Sequence, residues 1–123
     1  MEHLVTRDGR LRLWTTLRRV GPDEVLTYWT EARKLERWWP EGEELSPSDS
    51  DPGRQLAFDL AAGNTSSLPE GHVVVDFERR DEDTLLTVTH GPLALPDDRN
   101  VKGPLEAWTR LIVRFKAVLT PPH

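Results

Sequence analysis

The chain has 123 residues, 37% of them hydrophobic and 30% charged, with a formal net charge of −5. A chain of this size forms one domain around one core, so residues 1–123 are read as a single unit. The acid excess argues against a phosphate-binding surface and so against nucleic acid. The absence of cysteine excludes disulfides, thiol nucleophiles and thiolate metal ligands. No apolar run approaches the roughly 18 residues of a membrane span. Met1-Glu2-His3 begins nothing like a signal peptide, and the expected location is the cytoplasm. Trp14, Trp29, Trp38, Trp39 and Trp108 are many tryptophans for this length, and are expected to fill one small core or line a cavity in it.

Residues 1–10 are polar and end in Asp8-Gly9, a turn signal, which predicts a loose start or a short strand leading to a tight corner. From Leu11 to Val20 the chain alternates. Leu11, Leu13, Thr15 and Leu17 fall on one side, and Arg12, Trp14, Thr16 and Arg18 on the other, a strand with one face toward a core. Gly21-Pro22-Asp23-Glu24 offers proline for the first helical position and acids for the first turn. Val25, Leu26 and Trp29 then mark the buried side of a short helix. Thr30 is placed to cap a second short helix, Glu31 to Trp38, with Leu35 and Trp38 inward. Adjacent helical residues point about 100° apart. Trp38 is therefore expected inward and Trp39 at the rim, gating a cavity or meeting a partner; burial under the acidic loop after Pro40 is the alternative.

Glu41 to Gly53 is acidic and turn-rich, with a weak edge strand expected at Glu43 to Ser48 and a turn at Asp51-Pro52-Gly53. Arg54 to Leu60 alternates as a strand, and Ala61 to Gly71 reads as a loop. His72 to Arg80 and Thr84 to His90 form a hairpin across Asp81-Glu82-Asp83. Val73, Val75 and Phe77 share one row, and Leu86 and Val88 share another with Thr84 and His90. Gly91 to Gly103 is a second long loop. The last helix, Leu105 to Leu119, repeats Leu105, Trp108, Leu111, Ile112, Phe115, Val118 and Leu119 at helical spacing, between Gly103-Pro104 and Pro121-Pro122. So wide an apolar stripe needs a concave partner. The expected fold is α+β: a curved antiparallel sheet gripping the C-terminal helix, with two short helices after the first strand.

That order, and the stretches GPDEVLTYWTEARKLERWWP, DPG, DTLLTVTHGPL and AWTRLIVRFKAVL, resemble the START-like (SRPBCC, Bet v 1-like) helix-grip superfamily. The branch they most resemble is that of the activators of the Hsp90 ATPase. The family's hydrophobic pair, bend residues, leucine and tryptophan pair fall on Val25-Leu26, Thr30-Glu31, Leu35 and Trp38-Trp39. In the closing helix Trp108, Ile112, Phe115 and Leu119 fit, with Ala107 where glycine is common. Between Arg54 and Glu70 the chain is short for the middle strands such domains carry, which would trim the sheet and shrink a cavity.

The resemblance implies a cavity between sheet and long helix, closed at one end by the short helices, for a small hydrophobic molecule, lipid-like or aromatic, with no cofactor. The residues placed there are Leu13, Thr15, Trp38, Trp39, Phe58, Val75, Phe77, Leu86, Val88, His90, Trp108, Ile112 and Phe115. The competing reading is that these aromatics pack on one another and fill the core. His90 is the one acid–base candidate, against a plain structural histidine beside Gly91-Pro92. No His-x-x-x-His pair or carboxylate–histidine cluster has ligand spacing, so no metal is expected. Asp76 and Glu78, with Asp59, read as a solvated sheet face, and no Gly-x-Ser-x-Gly elbow is present. No catalytic residue is assigned. Two other functions stay open: a protein–protein module of the Hsp90-activator type, contacting a chaperone through exposed sheet or Trp39, and a cyclase- or hydrolase-type enzyme. A homodimer through an exposed strand edge is compatible with the sequence.

Overall fold

The computed structural model describes residues 2–39, 47–51, 55–60, 71–91 and 98–119. In chain order the elements are β1 (Glu2–Val5), β2 (Leu11–Leu17), α1 (Pro22–Thr30), α2 (Ala32–Leu35), β3 (Pro47–Asp51), β4 (Gln55–Leu60), β5 (Gly71–Arg80), β6 (Asp83–Gly91) and α3 (Asp98–Leu119). The strands form one six-stranded sheet in the order β1-β2-β6-β5-β4-β3. Every neighbouring pair is antiparallel.

The alternation in the sequence sets the register. Leu11, His90, Val73 and Phe58 lie side by side across β2, β6, β5 and β4, and Leu13, Val88, Val75 and Leu56 form the next row. Thr15, Leu86 and Phe77 make a third row. Apart from Thr15, which is half-buried, all of these side chains are buried. They share one core with Trp108, Leu111, Ile112 and Phe115 of α3 and with Val25, Trp29, Leu35, Trp38 and Trp39. A period-two face packed against a 3.6-period stripe is what makes this an α+β layer pair. No described helix is long and apolar enough to cross a membrane.

Several expectations need correction. The polar start takes the short-strand alternative, so the two short helices follow the second strand and not the first. The corner between β1 and β2 holds through Thr6 N–H to Arg10 O at 2.8 Å and Gly9 N–H to Thr6 O at 3.1 Å, with Gly9 at φ 80°, where glycine is favoured. All of β1 is exposed, which is why no apolar alternation announced it. In the same corner the Thr6 hydroxyl, ahead of Arg10, holds the Asp8 carboxyl below its ordinary pKa. β2 ends at Leu17 because Arg19 takes a positive φ of 58° and turns the chain toward α1.

The second short helix is a single turn. Thr30 does not cap it; its hydroxyl donates back to the Leu26 carbonyl at 3.1 Å. Glu31 (φ −87°, ψ 122°) breaks the helical path, and Lys34 ties the bend to Thr27 at 2.9 Å and Glu31 at 3.1 Å. Finally, α3 begins at Asp98, and Pro104 lies inside it. A proline forfeits one backbone bond and crowds the preceding turn, yet here the helix runs through.

β3 at Pro47–Asp51 is an edge strand, later than the one expected at Glu43 to Ser48; residues 41–46 lie outside the described residues. Residues 52–54, 61–70 and 92–97 do too, and with them the turn after Asp51, the Ala61 loop and most of the Gly91 loop. The hairpin of β5 and β6 closes from Arg80 to Asp83, with Asp81 at φ 57°.

Candidate ligand site

The sheet rows and α3 face each other across a cluster of rings. Trp29 is its hub, with centroids 4.5 Å from Trp38, 5.7 Å from Phe115, 6.4 Å from both Phe58 and Phe77, and 6.5 Å from Trp39. Trp39 also reaches Trp38 at 5.4 Å, Trp108 at 6.0 Å and Phe58 at 6.1 Å. Several pairs are edge-on, the geometry that aligns ring edges with ring faces. The residues expected to line a cavity are thus brought together, but as rings in contact with one another. Leu13, Val75, Leu86, Val88 and Ile112 form the aliphatic wall around them.

Of the two positions expected for Trp39, the rim is wrong and the ring is buried, at 1% exposure; the loop after Pro40 lies outside the described residues. The 100° argument fails because α2 ends at Leu35, and Trp38 and Trp39 lie on the turn beyond it. Both their backbone N–H groups donate to the Leu35 carbonyl, at 3.2 and 2.9 Å, and that turn lets both rings point inward. For Trp29 the sequence signals only helix core, through its position four residues after Val25. Its role as hub depends on the Trp38-Trp39 turn.

Polar groups inside the cluster fall into two kinds. The Trp108 indole N–H donates to His90 Nδ1 at 2.9 Å, which places the imidazole proton on Nε2 if the ring is neutral. The Trp38 indole N–H donates to the Tyr28 carbonyl at 2.9 Å. The indole nitrogens of Trp29 and Trp39 are buried and have no acceptor among the described residues. Thr15 receives Lys116 Nζ at 3.3 Å at the edge of the sheet–helix seam. Beside it lies a crevice of about 220 Å³ lined by Leu17, Arg18, Lys116 and Leu119. His90 is fully buried, and Gly71 makes room for it, since a Cβ there would lie 3.1 Å from Nε2.

The opposite sheet face is polar and solvated. His72 pairs with Asp59 at 2.8 Å and Gln55 donates to Asp76 at 3.0 Å. On this face Trp14 is half-buried in a half-open groove of about 1070 Å³, bordered by Leu4, Arg12, Leu85 and Thr87. Among the described residues no cluster of histidine and carboxylate side chains could hold a metal.

No family model matches the chain, and no curated protein matches it in sequence. Solved structures do match. Protein Ms6760 from Mycobacterium smegmatis is 17% identical with a TM-score of 0.72, over 100% of this chain and 98% of that one. DynU16, described as a protein of the dynemicin biosynthetic locus, is 16% identical with a TM-score of 0.71, over 90% and 47%. The Aha1 dimer from Colwellia psychrerythraea is 13% identical with a TM-score of 0.66, over 88% and 95%. The fold is shared. It is an α+β fold, an antiparallel sheet with a long C-terminal helix, compatible with a helix grip.

Proposed function

We propose that the protein is a non-enzymatic binding domain for a small hydrophobic ligand, lipid-like or aromatic, held between the sheet and α3, where the Trp39 ring gives up its place to the ligand. One observation carries this. Trp39 is buried on a turn with no side-chain hydrogen bond among the described residues, whereas the Trp38 and Trp108 indoles are each tied down. Moving the Trp39 ring sacrifices ring contacts only, and an apolar ligand restores them. His90, the single acid–base candidate, is engaged with Trp108, which fits a packing role. DynU16, which shares the fold, belongs by its description to the dynemicin biosynthetic locus. The test is native mass spectrometry of freshly purified protein. A retained small molecule is expected; a bare chain from protein that also binds no apolar probe would contradict the reading.

A second reading, a protein-binding module of the Hsp90-activator type, is favoured by the Trp14 groove on the outer sheet face. Burial of Trp39 removes it as a contact residue and leaves Trp14 as the anchor. A pull-down should then weaken with Trp14→Ala and persist with Trp39→Phe; the reverse pattern would count against it.

A further inference from the structure

Four indoles in this core are buried: Trp29, Trp38, Trp39 and Trp108. The protein supplies an acceptor to two of them, Tyr28 O for Trp38 and His90 Nδ1 for Trp108, both at 2.9 Å. Trp29 and Trp39, neighbours with ring centroids 6.5 Å apart, are left with desolvated N–H groups and no acceptor among the described residues. Buried donors in native proteins are nearly always paired, and each exception needs an explanation, which here a bound ligand would supply. A core that merely needed bulk would be served by phenylalanine at these places, as it is at Phe58, Phe77 and Phe115 around them. The surrounding wall consists of ring faces and edges, which favour a flat, rigid guest over a flexible chain that must lose rotamers on binding.

We infer that the ligand of this site is a planar aromatic compound bearing a carbonyl oxygen, which accepts a hydrogen bond from the indole N–H of Trp29 or Trp39. This rests on the ligand reading above. It narrows that reading from lipid-like or aromatic to aromatic with an acceptor.

The test compares two probes of matched shape, 2-acetonaphthone and 2-ethylnaphthalene, on the full chain labelled with ¹⁵N. Trp29→Phe and Trp39→Phe assign the indole N–H signals by deletion while keeping an aromatic ring. The ketone should bind roughly tenfold tighter than the hydrocarbon, the worth of one ordinary hydrogen bond. It should move the Trp29 or Trp39 indole proton downfield and leave the Trp38 and Trp108 signals nearly in place. The variant lacking the donor should bind both probes equally. If wild-type protein binds both probes with the same affinity, the ligand reading stands and the acceptor inference falls. The acceptor inference falls likewise if the two indole protons sit upfield and do not respond, because neighbouring ring faces then satisfy them. If neither probe binds the folded protein, the ligand reading itself fails.

Discussion

Replacing Trp108 by phenylalanine should cost far more stability than the same replacement at Trp39. Both residues are buried, at 0% and 1% exposure, and both changes shed the same pyrrole edge. That shared loss is about 1 kcal/mol of apolar contact. Trp108 additionally donates to His90 Nδ1 at 2.9 Å, deep in the core. Deleting the donor strips a buried acceptor of its partner, which adds about 1–3 kcal/mol. Trp39 has no acceptor to abandon, and removing its unpaired donor offsets part of the packing loss. Trp108→Phe should therefore lower stability by about 2–4 kcal/mol, and Trp39→Phe by about 1 kcal/mol or less. In urea melts the midpoints should separate at equal slopes, and each kcal/mol corresponds to about 3–6 °C in Tm for a domain of this size. Equal losses at the two positions would refute the division of these indoles into paired and unpaired.

Three further outcomes follow from local geometry. Gly71→Ala places a Cβ 3.1 Å from Nε2 and 3.2 Å from Cδ2 of His90, whose ring Trp108 holds; a loss of about 1–3 kcal/mol is expected, and none would mean the imidazole moves freely. Thr84→Val removes the buried hydroxyl that donates to the Val20 carbonyl at 2.7 Å, costing about 1–2 kcal/mol, with Thr84→Ser largely retaining stability; indistinguishable melts for the two variants would contradict the bond. The Asp8 carboxyl, held down by the Thr6 hydroxyl first and Arg10 second, should titrate below its ordinary value of 3.8 in carboxyl NMR. Its folded pKa is depressed, so its contribution is present above the unfolded pKa and is lost as pH falls through the folded one. Thr6→Val should raise the midpoint, and an unmoved midpoint would refute the cause assigned to it.

Much of this architecture is written in apolar spacing. The rows Leu13–Val88–Val75 and Leu86–Phe77 emerge from strict alternation, and the α3 stripe from Trp108 to Phe115 emerges from its helical period, because burial on one side forces those periods. β1 is half-legible: its corner is carried by Gly9, but its side chains are exposed and give no alternation. Trp39 escapes the sequence because single-turn helices are set by local hydrogen bonds, here to the Leu35 carbonyl, which leave no period to count. The start of α3 escapes it because Pro104 is tolerated inside the helix. Within the candidate site, residue types identify the wall, and only coordinates reveal which indoles have acceptors. That distinction depends on backbone groups such as Tyr28 O, whose place no side-chain pattern encodes.

The most direct measurement is a crystal structure of the protein with 2-acetonaphthone bound. The naphthalene ring should lie between Phe58 and Trp108, with the Trp39 ring swung from its present position and the Trp38 indole still on Tyr28 O. A probe lodged elsewhere, with Trp39 still packed against Trp29 and Phe58, would contradict a ligand site between the sheet and α3.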